Sequence, residues 1–176
     1  MSKVITFSRT FPAYHPKAGQ PTYFVEKFWN SIYAESDRED ALMTHELGGI
    51  WSAWCEMRDV APKHHTIRAG SRWKVGDKFS PRVWSGKPYN SKQIVIAPDT
   101  EIKKVFTIEV RYHNIYINGK LYAADLVYTR STFGWLAEKD GLTPIDLYHW
   151  LKIDKMPLHA NTFTGQIICW NESINY

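Results

Sequence analysis

The sequence predicts a mixed α+β fold, and three patterns carry that prediction. Phe24, Phe28 and Ile32 recur every four residues with Val25 and Trp29 beside them, the apolar face of an amphipathic helix. Residues 105–112 alternate as a half-buried strand does, with Val105, Thr107, Glu109 and Arg111 on one face and Phe106, Ile108, Val110 and Tyr112 on the other. Tyr116-Ile117-Asn118-Gly119-Lys120-Leu121 sets Asn-Gly between extended residues, the signature of a type I′ hairpin.

Taken in order, Val4-Ile5-Thr6-Phe7 reads as a first strand, ended by Pro12. Pro16, Gly19 and Pro21 break the next stretch into a loop, and Thr22 is placed to cap the helix over Phe24–Ile32. Residues 36–40 form a charged link. Residues 41–47 and 50–60 read as further helices, the second from the spacing of Trp51, Trp54 and Met57. Beyond residue 61 the pattern turns to strands. Lys78–Trp84 is one, with Pro81 arguing for an edge or a bulge, and residues 93–97 are another. Ser131 or Thr132 caps a short helix through Lys139, which Asp140-Gly141 ends. Thr143 caps the next, with Pro144 at its first position and Asp146 three residues after the cap, and that helix runs to about Leu151. Residues 166–170 form a closing strand.

Bulk properties bound the function. With 176 residues, one domain spanning 1–176 is expected, large enough to bury a core without disulfides. Two cysteines, Cys55 and Cys169, make no disulfide framework and suit a reduced, cytoplasmic setting. No apolar run reaches membrane-spanning length and no signal-peptide pattern opens the chain, so no membrane partner is expected. A net charge of +4 permits a nucleic-acid partner without requiring one. An aromatic share of 15%, with eight Trp, fills a core or stacks on bases, and composition does not separate the two.

One stretch concentrates chemistry. Lys63-His64-His65-Thr66-Ile67-Arg68 puts an amine, two imidazoles, a hydroxyl and a guanidinium into six residues, between Pro62 and Gly70. It reads as a brief strand or an ordered loop. In an extended chain Lys63 and His65 share one face, and His64, Thr66 and Arg68 the other. A solvated basic edge strand accounts for the same residues.

Lys63-x-x-Thr66-Ile67-Arg68 followed by the Gly76-Asp77 turn resembles the signature of the ASCH family, relatives of the PUA fold. The chain looks most like the small bacterial members that hydrolyse acetylcytidine. Ile5-Thr6-Phe7 with Arg9, Trp73-Lys74-Val75-Gly76-Asp77, Leu136-Ala137-Glu138-Lys139-Asp140-Gly141-Leu142-Thr143, and the strand from Gln166 to Cys169 are similar to blocks of that family in the same order, over about half of the chain. The resemblance implies a PUA-like mixed β-barrel with flanking helices. Residues 13–61 or so, long by comparison, are then an inserted helical elaboration.

The resemblance also implies a site. Thr66 matches the family's catalytic threonine and Lys63 its lysine. The family's third member is a glutamate, and Asp140 falls at its place, one methylene shorter, with Glu138 two residues earlier as the rival. Asp140-Gly141 is also ordinary turn chemistry. In this reading Thr66 is the nucleophile or orients a water, Lys63 is the base, Asp140 relays the proton, and Arg68 holds the substrate. A lysine base needs its pKa lowered by burial or by nearby cations. No metal or organic cofactor is required, and the histidine and cysteine spacing offers no zinc site.

The second reading is a module that binds RNA or DNA, with RNA favoured, and does no chemistry. Arg68, Arg72, Lys87 and their neighbours interleave with Trp84 and Tyr89, and cations beside aromatics suit phosphates and bases. His65, Arg68, Arg72, Trp84, Lys87 and Tyr89 are the candidate binding residues, with the loop over residues 85–91 placed to close over a nucleotide. A third reading docks a protein partner on the helix at Phe24–Ile32 and requires an exposed apolar stripe there. The sequence leaves the oligomeric state open.

Overall fold

The structure, a computed structural model, describes residues 2–33, 37, 60–111, 113–124, 130–155 and 161–176. The helices expected over 41–47 and 50–60, and with them most of the expected insertion, lie outside the described residues. The strands are β1 (Lys3–Thr6), β2 (His65–Ala69), β3 (Lys78–Trp84), β4 (Gln93–Val95), β5 (Thr100–Glu101), β6 (Lys104–Arg111), β7 (Asn114–Ile117), β8 (Lys120–Ala123) and β9 (Asn161–Cys169). The α-helices are α1 (Phe24–Ile32), α2 (Arg130–Lys139) and α3 (Pro144–Trp150), and a 3-10 turn follows at Ile153–Lys155.

This is an α+β chain. Its described strands form two sheets and no closed barrel, which corrects the barrel expectation. One sheet runs β1-β3-β4, with β5 also on β3, and the other runs β2-β9-β6-β7-β8. Every pairing is antiparallel except β1 with β3. Strand β9 is long enough to pair with β2 on one side and β6 on the other, so Cys169 faces His65 in one register and Lys104 in the other.

Pro81 lies in the central strand of its sheet, not at an edge as expected. It is tolerated because β4 pairs with Arg82, Val83 and Trp84 while β5 pairs with Lys78 and Phe79. The missing N–H of Pro81 falls in the gap between those partners, and its carbonyl still accepts from Ile96 N–H at 3.0 Å. The hairpin forms as the Asn-Gly pair requires, with φ of 50° at Asn118 and 76° at Gly119 between β7 and β8.

Helix α1 turns Phe24, Val25, Phe28 and Trp29 inward. Phe28 meets Phe7 with ring centroids 4.9 Å apart and Trp170 at 5.1 Å, so α1 joins β1 and the end of β9 in one aromatic core. That burial removes the basis of the protein-docking reading. The cap also differs from expectation. Tyr23, left-handed at φ 57°, holds the N-cap position with no side-chain cap. The Thr22 hydroxyl accepts from Phe24 N–H at 3.4 Å, a long contact at the helix start, and donates to the Ser8 carbonyl at 2.6 Å, which ties α1 to the chain leaving β1. Thr143 caps α3 as expected, accepting from Asp146 N–H at 3.2 Å. Among the described residues no helix is long and apolar enough to cross a membrane.

Candidate active site

The segment entering β2 is clamped by two helices. Lys63 N–H donates to the Lys27 carbonyl of α1 at 2.8 Å, and His64 N–H donates to the Lys139 carbonyl at the end of α2 at 2.9 Å. The turn after α2 then wraps back. Gly141 takes φ +75°, and a side chain there would crowd Lys27 and Lys63. Lys27 Nζ donates to the Gly141 carbonyl at 2.7 Å. These contacts bring Asp140 against Lys63.

Lys63 is 1% exposed and Asp140 3%. The Lys63 ammonium donates to Asp140 Oδ1 at 2.7 Å and also to the Asp140 backbone carbonyl. It lies 4.4 Å from the centroid of the Phe24 ring, a cation–π contact. Burial pushes the Lys63 pKa down to about 8, against the pull of Asp140. Burial raises the Asp140 carboxyl, but Lys63 and His65 together outweigh it and hold it below the ordinary carboxylate range. Asp140 thus enters the turn at Gly141 and at the same time pairs with the buried Lys63 ammonium. Glu138 is exposed, pairs with Lys139 at 3.0 Å and does not line the cavity that Asp140 lines.

Asp140 also lies on the wall of a cavity of about 400 Å³. Thr66 and Arg68 of β2, Thr6 of β1, Trp84 of β3 and Tyr89 line it with Asp140. The two sheets therefore meet at this site. Thr66 is 5% exposed. Arg68 donates from Nη2 to the Thr6 carbonyl at 2.5 Å, and its Nε is buried with no hydrogen-bond partner. Trp84 and Tyr89 stand 5.4 Å apart, and Tyr89 is 88% exposed at φ 64°.

The other expected site residues lie elsewhere. Lys63 does not line the cavity itself and stands behind Asp140 and Phe24, which do. His65 is fully buried behind the carboxylate, with Nδ1 3.4 Å from Asp140 Oδ1 but without hydrogen-bond geometry, and Nε2 2.6 Å from the Tyr176 hydroxyl. Burial lowers its pKa and keeps the ring neutral. Arg72 is exposed over the Trp73 ring at 4.8 Å, away from the cavity. Lys87 is exposed on the loop whose neighbours Gly86 and Pro88 line the cavity, but it does not line it itself.

Sequence reading missed the chain after β1 and two aromatic walls. Ser8, Arg9 and Thr10 form one rim, and Phe24 and Trp150, 5.3 Å apart, form the floor beside it. Phe24 gave only a helical-spacing signal, and Arg9 entered only as part of a first-strand resemblance. Among the described residues no three His, Cys, Asp or Glu side chains gather to hold a metal ion. Compared with family models, with curated proteins and with solved structures, the chain matches none.

Proposed function

We propose that the chain is an amidohydrolase of the ASCH type, a variant on the PUA-like theme, acting on an acylated nucleoside such as acetylcytidine. One observation carries this reading: a buried lysine–carboxylate pair whose carboxylate lies on the wall of a nucleoside-sized cavity that Thr66 also lines. Thr66 Oγ attacks the amide carbonyl and forms a C–O bond. Its proton passes through the Asp140 carboxyl to neutral Lys63 Nζ. The tetrahedral intermediate collapses, the C–N bond breaks, and the leaving amine takes that proton back by the same path. Water then hydrolyses the threonine ester and releases the acid. The test is release of cytidine from acetylcytidine by the purified protein. Loss of turnover in Lys63→Ala and Thr66→Ala supports the reading, and no release from any acylated nucleoside sinks it.

A second reading has its own support. The Lys63 ammonium is held by both the carbonyl and the carboxylate of Asp140, a structural arrangement, while the exposed Tyr89 beside Trp84 offers a stacking surface. A module that binds a base in RNA or DNA without turnover uses the same cavity. Salt-sensitive binding of oligonucleotides by a protein with no turnover would favour it.

A further inference from the structure

The cavity carries more positive charge than a neutral acylated nucleoside requires. Two guanidiniums, Arg9 and Arg68, stand on its wall. Neither is within ion-pair distance of a carboxylate among the described residues. Among the described residues the Arg9 side chain makes no hydrogen bond, and its charge is felt by the buried Glu26. Asp140, the acidic residue on the same wall, is already engaged by Lys63. Arg68 is the more telling of the two. It is partly buried, one nitrogen is committed to the Thr6 carbonyl, and its Nε is shut away from solvent with no acceptor. Its charge meets only a backbone carbonyl at hydrogen-bond distance and, farther off, an Asp140 already paired with Lys63, and burying a cation so thinly compensated is costly; an anion in the cavity offsets that cost.

The shape of the guanidinium restricts the anion. Its planar fork suits a phosphate or carboxylate held by parallel hydrogen bonds. The wall beside it carries the paired rings of Trp84 and Tyr89, which suit a planar base. We propose that Arg9 and Arg68 form an anion subsite that takes the phosphate of a nucleotide whose base lies against Trp84 and Tyr89. The proposal rests on the base-binding reading of the cavity and adds that the ligand is phosphorylated, as a free mononucleotide or as part of a chain.

Calorimetric titration with cytidine, cytidine 5′-monophosphate and a short oligocytidine tests it. The monophosphate is expected to bind about tenfold or more tightly than cytidine at low salt. That ratio falls towards one in Arg9→Gln and in Arg68→Gln, and shrinks as salt is raised. A further gain with the oligomer identifies chain phosphate, and no gain identifies the free mononucleotide. Arg9 is exposed, so Arg9→Gln keeps the test open should Arg68→Gln fail to fold. Equal affinity for cytidine and its monophosphate overturns the subsite and leaves the base-binding reading standing. No binding of either removes both.

Discussion

The Tyr176 hydroxyl lies 2.6 Å from His65 Nε2, and the other nitrogen of that ring faces Asp140. Burial raises the Tyr176 pKa, so the phenol keeps its proton, and with Nδ1 turned towards an acceptor-only carboxylate the phenol is placed to donate to Nε2. A neutral imidazole that accepts at Nε2 carries its hydrogen on Nδ1. Tyr176 therefore selects the tautomer that points an N–H dipole at the carboxylate. Nitrogen-15 NMR of the labelled histidines should show His65 neutral at a pH of about 7 with Nδ1 protonated. In Tyr176→Phe, which keeps the ring packed between Phe106 and Trp135, the tautomer balance should shift towards Nε2–H. An unchanged tautomer in that variant removes the role of the phenol.

Asp140 and Glu138 compete in sequence but not in space. Asp140→Asn leaves the Lys63 ammonium buried without a counter-charge, which costs about 3 kcal/mol or more. Chemical denaturation should register that loss, and turnover of acetylcytidine should fall by about a hundredfold or more. Glu138→Gln should stay within about 0.5 kcal/mol of the parent and keep its turnover, because Glu138 is solvated and its ion pair is with the neighbouring Lys139. The reverse ranking would place the acid on the wrong residue.

Turnover should depend on pH through Lys63. Its pKa is pushed down to about 8, so below that value the amine is protonated and cannot take a proton. The logarithm of kcat/KM should climb with unit slope from the acid side and level off above pH of about 8. A profile that is flat from about pH 6 upward would assign base catalysis to the carboxylate instead.

Glu26 makes a separate stability prediction. It is buried in the first turn of α1, and burial lifts its carboxyl from 4.5 to about 7. Between those values the folded chain binds more protons than the unfolded one, so its contribution to stability falls as pH rises through the window. Glu26→Gln removes that loss. The variant should match the parent near pH 4 and exceed it by about 3 kcal/mol above pH of about 7. Urea unfolding at the two pH values checks it, and a gain that is larger in acid contradicts it.

The legible parts of the fold were those where local chemistry and burial agree. The helix at Phe24–Ile32, the alternating strand over 105–111 and the Asn118-Gly119 hairpin each follow from a pattern within a dozen residues. Strand β5 is two residues long and carries no period. Pro81 misled because its tolerance depends on where β4 stops and β5 begins, a long-range fact. The site was half legible. The spacing Lys63-x-x-Thr66-x-Arg68 marked β2, and resemblance pointed to Asp140. That Asp140 stands between Lys63 and the cavity, and that His65 backs it, depends on the turn at Gly141 folding over the Lys63 stem, which no linear pattern encodes.

Thr66 and Arg68 come from one sheet, and Thr6 and Trp84 from the other, so whatever fills the cavity acts as a rivet between the two halves of the core. Pulling the sheets apart would mean losing the occupant. A ligand at a hundred times its dissociation constant would then add about 2.7 kcal/mol to the whole chain. The melting temperature thus becomes a detector that requires no assumption about chemistry. A library of nucleosides, nucleotides and their acylated forms can be sorted by how far each one delays unfolding.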